Sequence, residues 1–136
     1  AYVINIGVTF AILPKAGFNK QDVILRCVNV IQDFFNIDNW QIGQPIVVSD
    51  LVYEISLVDG VATITPPTEN NPKNLPIVIQ TKYSVAEGYS GNFFDINSAL
   101  KEGVLYPSLD PSIFEVKYPN SDVRGKVLGD NLGIQE

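Results

Sequence analysis

The sequence predicts an α+β fold: a small mixed or antiparallel sheet packed by one long helix and a short helix, with an extended C-terminal region. Three observations carry this. Residues 2–13 alternate apolar and polar or small positions, the period of a half-buried strand. Residues 19–38, NKQDVILRCVNVIQDFFNID, repeat apolar residues at helical spacing. Beyond Ala86 glycine and proline break the chain repeatedly, leaving room only for short elements.

Along the first strand, Tyr2, Ile4, Ile6, Val8, Phe10 and Ile12 point one way and form a core face. Val3, Asn5, Gly7, Thr9 and Ala11 point the other way. Gly7 marks a bulge, a close contact or a plain strand glycine. Pro14 ends the strand. In the long helix, Val23, Cys27, Val30, Ile31 and Phe34 form the apolar stripe, and Ile24, Val28 and Phe35 widen it. Lys20, Gln21, Arg26, Asn29, Gln32 and Asp33 make the wet side. Asn19 is placed to cap the first turn, with Asp22 three residues on and Phe18 before it as a hydrophobic staple.

Trp40 and Ile42 are expected to anchor the connection that follows. Ser49 reads as the cap of a short helix carrying Leu51, Val52, Ile55 and Val58, although Ile46–Val48 and Leu57–Val58 fit strands equally well. Asp59–Gly60 stops that element, and Val61–Thr65 resumes as a strand. Residues 66–76, PPTENNPKNLP, form a breaker-rich connection or a contact arm. Ile77–Val85 is a third strand, with Ile77, Ile79, Tyr83 and Val85 on one face.

In the second half, Asp95 or Asn97 caps a short helix running through Glu102 and closed by Gly103. Ile113–Tyr118 is a short strand, and Gly129–Glu136 reads as a mobile end or cut linker. The chain therefore divides into an α+β domain at 1–86 and an extended partner-contact region at 87–136. Aromatic residues on so interrupted a segment lie against a partner or wrap their own domain. The candidate partner contacts are Tyr89, Phe93, Phe94, Tyr106, Phe114 and Tyr118.

Composition excludes more than it names. The 136 residues suit one domain, or a compact domain with a long arm, and a sizeable core. With 15 acidic against 9 basic residues the net charge is −6, and the basic residues are scattered along the sequence, Arg124 and Lys126 being the nearest to a cluster. That balance argues against a nucleic-acid binder. There is no membrane-length apolar run and no signal-peptide pattern. The chain lacks Met and Ala1 leads almost directly into a strand, which reads as a piece of a longer protein. Its single cysteine, Cys27, reads as a buried thiol on the helix face.

With no histidine the usual neutral-pH proton carrier and metal ligand is missing. Gly88-Tyr89-Ser90-Gly91 approaches a nucleophile elbow, but position 92 is Asn and no histidine exists to act as base. A hydrolytic carboxylate pair must face a common cleft, and no spacing in the sequence brings two acids together. Asp59–Gly60 lacks the alternating oxygen ligands of a calcium loop. No enzyme activity, catalytic residue, cofactor or metal is expected.

The first 65 residues carry a recognisable order: a strand, PKAGF, the long helix ending in FFNIDNW, Ile42-Gly43, the segment from Ile46 to Leu51, and VDGV at Val58–Val61. This resembles the C-terminal part of baseplate J-like proteins from contractile phage tails and related injection machines. The resemblance implies a structural role, without catalytic residues, in a ring of subunits around the tail hub that rearranges when the baseplate opens. It implies other wedge subunits and further copies of this chain as partners, a homo-oligomer in the full-length protein, and a place in the virion after assembly in the host cytoplasm. The alternative reading is a carbohydrate- or peptide-binding module of a larger surface protein. An exposed apolar patch favours assembly, whereas a concave aromatic-polar groove favours ligand binding.

Overall fold

A computed structural model describes residues 2–36, 38, 40–68, 71, 75–107 and 112–127. One 13-residue strand, β1 (Tyr2–Pro14), runs through the middle of the main sheet and pairs with four others. These are β3 (Val61–Thr65) and β4 (Ile77–Lys82), both antiparallel to it, and β7 (Ser112–Glu115) and β8 (Val123–Val127), both parallel. The edges follow from residues paired on both sides. Asn5 pairs with Lys82 and Glu115, Val8–Phe10 pair with β4 and β8, and Ala11–Ile12 pair with β3 and β8. A strand has two hydrogen-bonding edges, so β3 and β4 lie end to end along one of them, and β7 and β8 along the other. The chain leaves one lane after Thr65 and rejoins it at Ile77, and leaves the other after Glu115 and rejoins it at Val123.

The inner face of this mixed sheet is the one expected from the alternation. Ile4, Ile6, Val8, Phe10 and Ile12 are 0–3% exposed. Each such side chain contributes about 1.5–3 kcal/mol on burial. Two helices cover them: α1 (Lys20–Phe34) and α2 (Val48–Ser56). Helix α1 buries Val23, Cys27, Val28 and Ile31, with Ile24, Val30 and Phe34 packed half-exposed around them, and its predicted wet side is exposed throughout. Burial pushes the Cys27 thiol from 9.0 up to about 11, as fits an inert core cysteine.

The α1 N-terminus matches its sequence signals. The Asn19 Oδ1 accepts the Asp22 N–H at 3.1 Å. Phe18 and Val23 both close on Gly60, the staple partners meeting over the α2–β3 turn. A Cβ built on Gly60 would lie 2.7 Å from Val23 Cγ2 and 2.8 Å from Phe18 Cδ2, and its φ of +103° already favours glycine. The Lys15 N–H donates to the Gly60 carbonyl at 2.7 Å and the Arg26 guanidinium to that of Asp59 at 3.3 Å. The VDGV segment is thus a docking turn for the start of α1.

Several expectations are corrected. Helix α1 ends at Phe34, short of Asp38, because the Asn36 side chain takes the Asp38 N–H at 2.9 Å and diverts the backbone. Helix α2 starts at Val48 and has no side-chain cap; the Val48 N–H instead donates to the Gly103 carbonyl at 2.9 Å, which frees Ser49 from that task. Ile42 does not anchor its loop, being 61% exposed. Trp40 does, against Phe34 and Phe35 at ring distances of 5.5 and 5.0 Å, while the Gly43 N–H donates to the Ser112 carbonyl at 2.7 Å. Gly7 sits in unbroken register, so it is a close contact rather than a bulge.

The third strand stops at Lys82, leaving Tyr83 and Val85 outside it. The short helix α3 (Ile96–Ala99) is capped by Asp95 and ends before Glu102. Leu100–Lys101 (β5) and Val104–Leu105 (β6) instead form a hairpin through Glu102 and Gly103, both at positive φ, and β6 also pairs with Ile46–Val47 (β2) in a second, three-stranded sheet. The tail Gly129–Glu136 lies outside the described residues.

Among the described residues, the second half carries only short elements of two to five residues, yet it is built into the core. Strands of residues 87–136 and of residues 1–86 share one sheet through β1.

Candidate functional site

The outer face of the main sheet, away from the helices, holds a bonded network of polar side chains. Asn5 is 1% exposed there and works both ends of its amide. Its Nδ2 donates to Glu115 Oε1 at 2.7 Å, and its Oδ1 accepts the Ser90 N–H at 2.8 Å. Ser90 Oγ and Asn92 Nδ2 both donate to the Val3 carbonyl, at 2.7 and 2.9 Å. The serine of the elbow-like sequence is therefore a clip that straps residues 88–92 across the start of β1.

A second clip adjoins it. The Tyr89 hydroxyl donates to Asp122 Oδ1 at 2.6 Å, and Asp122, 5% exposed, also accepts the Tyr118 N–H at 3.4 Å. The Tyr89 and Tyr118 rings meet edge to face at 5.4 Å, and Lys117 Nζ donates to the Gly88 carbonyl. Burial, and then the bond to the Asp122 carboxylate, push the Tyr89 hydroxyl from 10.0 up to about 12. α4 (Pro119–Asp122) supplies Asp122 at the point where the chain returns to the sheet as β8.

Beside this clip lies a cavity of about 210 Å³ lined by Gly7, Thr9, Gln80, Lys82, Asp122, Arg124 and Lys126. Gly7 makes it possible: a Cβ there would lie 2.9 Å from Lys82 Cε and 3.1 Å from the Asp122 carbonyl oxygen. The Lys82 arm crosses that gap. Three of the chain's nine cations thus converge on one sheet face of an acidic protein. The i, i+2 spacing of Arg124 and Lys126 on a strand was a readable signal for two of them. Lys82 joins through the register of Asn5 with Lys82 and of Ala11 with Lys126, which no local pattern encodes.

The six candidate contact aromatics separate into three settings. Phe114 is 2% exposed, because its register with Ile4 places it on the inner face, where Phe94 meets it edge to face at 5.7 Å. It is a core residue here, not a surface contact. Phe94 and Tyr89 are half-buried. Phe93, Tyr106 and Tyr118 are exposed, at 62%, 49% and 39%. Tyr83 and Val85, which strand periodicity placed on an apolar face, join them at 50% and 70%; the Tyr83 and Phe93 rings stack edge to face at 5.1 Å.

On the opposite side of the molecule, Val30, Asp33 and Phe34 of α1 and Glu54 of α2 line a second cleft of about 210 Å³. Two acids do converge there, which their sequence spacing hid. Both are exposed, without the burial that divides acid from base in a hydrolytic pair. Among the described residues, no group of three or more His, Cys, Asp or Glu is placed to hold a metal ion, and no helix is long and apolar enough to cross a membrane.

No family model matches the chain, and no curated protein matches its sequence.

Proposed function

We propose that this chain is a structural assembly module that works through protein–protein contacts and performs no catalysis. The observation that carries the reading is the exposed apolar group where the two parts of the chain join, Tyr83, Val85 and Phe93, with Tyr106 and Tyr118 further along. Large apolar side chains grouped at a surface gain free energy when a partner covers them. Rings of this kind, on a frame with a fully packed core, serve association better than they serve the frame itself.

The order of elements in residues 1–65 supports a narrower assignment. Gly60, in the VDGV segment on which the resemblance to baseplate J-like proteins rests, has a defined task as the docking turn beneath Phe18 and Val23. On that basis the chain is proposed as the C-terminal portion of a T4-like bacteriophage baseplate wedge protein that forms the inner baseplate ring. Its partners are other wedge subunits and copies of itself, and its place is the tail baseplate of the virion. The test is to purify contractile tail particles from the source of this chain and to localise it by mass spectrometry and antibody labelling in electron micrographs. Labelling at the baseplate is the expected result. Particles that lack the chain overturn the assignment.

A further inference from the structure

The helix layer of the molecule is acidic, whereas the outer sheet face carries a local cluster of cations. Residues 19–60, which contain both large helices, hold six acids (Asp22, Asp33, Asp38, Asp50, Glu54 and Asp59) against two bases, Lys20 and Arg26, and all six are exposed. The outer sheet face, which points the other way, gathers Lys82, Arg124 and Lys126 around one cavity; Asp122 in its lining is engaged by Tyr89 and by the backbone of Tyr118, Glu115 on the same face accepts from Asn5, and Arg124 Nε donates to the Ser121 carbonyl at 3.3 Å. Each face also has a concavity of similar size, about 210 Å³. The acidic one is lined by half-buried Val30 and Phe34, and the helix layer adds exposed Tyr53 of α2 and Leu57 just after it.

From this we infer that the cationic cavity on the outer sheet face of one copy docks on the acidic helix layer of a second copy, Lys82 and Arg124 meeting Asp33 and Glu54. The contact joins two different faces, so it is heterologous, and repetition of it generates a closed ring or an open array according to the rotation between copies. Charge complementarity chooses the occupant. A chain of net charge −6 repels its own kind in general, and the cationic cavity is the local reversal that fixes one orientation and disfavours others. The cavity lining contains no aromatic side chain on which a nucleic-acid base could stack. This inference rests on the assembly reading above and specifies one of its contacts.

The experiment uses the 136-residue chain in sedimentation velocity and light scattering over a concentration series. Wild-type chain is expected to associate with rising concentration at low salt and to dissociate in about 1 M salt, where screening acts within about 3 Å. The pair Lys82→Glu with Arg124→Glu is expected to weaken association by about tenfold or more, and so is Asp33→Lys with Glu54→Lys. Mixing the two reversed proteins is expected to restore it, because each then meets an opposite face. Circular dichroism checks folding, and the neutral pair Lys82→Gln with Arg124→Gln gives a partial loss if the reversed variant misfolds.

A chain that stays monomeric at low salt overturns the inference, as does saturable binding of inorganic phosphate by such a monomer. Association indifferent to charge reversal overturns it too, while leaving the assembly reading intact. Absence from tail particles overturns that reading, and the mixing result then judges the contact by itself.

Discussion

Gly60 and Tyr89 show how much single side chains, or the lack of one, decide in this molecule. At Gly60 a methyl group meets Val23 and Phe18 below 3.0 Å and must also adopt φ of +103°. Gly60→Ala is therefore expected to destabilise the chain by about 2–4 kcal/mol, from overpacking and backbone strain together, as a shift of the urea midpoint would show. Tyr89 has its hydroxyl raised from 10.0 to about 12, so the folded state favours the neutral phenol. The associated stability is fully present below pH about 10 and is lost as pH rises through about 12. An ultraviolet tyrosinate titration should show one late-ionising group that disappears in Tyr89→Phe. That variant should also lose about 1–3 kcal/mol at neutral pH, since the buried Asp122 carboxylate loses a donor.

The two main helices begin by different physics. Helix α1 is closed locally, by the Asn19 side chain on the Asp22 N–H, so a sequence reader can find its start. Helix α2 is closed from a distance, by the Gly103 carbonyl of the β5–β6 hairpin on the Val48 N–H. Replacement should separate the two cases. Asn19→Ala is expected to cost about 1 kcal/mol by chemical denaturation. Ser49→Ala, at the position that looks like a cap in sequence, should change stability by less than about 0.5 kcal/mol. Equal losses at the two positions would contradict this account. The hairpin also explains why the short-helix expectation ran too far. Leu100 and Lys101 follow directly on α3, but Glu102–Gly103 close a two-residue turn whose return strand buries Leu105.

For the whole molecule, the telling feature is that both outer lanes of the sheet are interrupted while β1 runs unbroken between them. The second half supplies the parallel lane, so it cannot be removed like an appended arm. Phe114 and Phe93 test this. Phe114→Ala opens a void beside Ile4 and Phe94 and is expected to cost about 3–5 kcal/mol by thermal or chemical unfolding. Phe93→Ala removes a ring that is 62% exposed and should cost about 1 kcal/mol or less, its effect falling instead on association. Similar losses from the two would make the 87–127 aromatics one continuous core and leave no contact surface among them.

Features that depend on neighbours along the chain are legible without the fold. The inner face of β1, the stripe and wet side of α1, the Asn19 cap, the Phe18 staple, the Asp59–Gly60 stop and the buried Cys27 all follow from periods of two and 3.6 and from capping chemistry within one turn. Where the polar groups meet is set by contacts between segments far apart in the chain. Asn5 binds Ser90 and Glu115, Tyr89 binds Asp122, and Lys82 joins Arg124 and Lys126, because strand register and loops packed across the sheet bring distant segments together. Register is a property of pairs of strands, chosen by total burial on the inner face, and its consequence on the outer face is a convergence of charge that no single segment encodes.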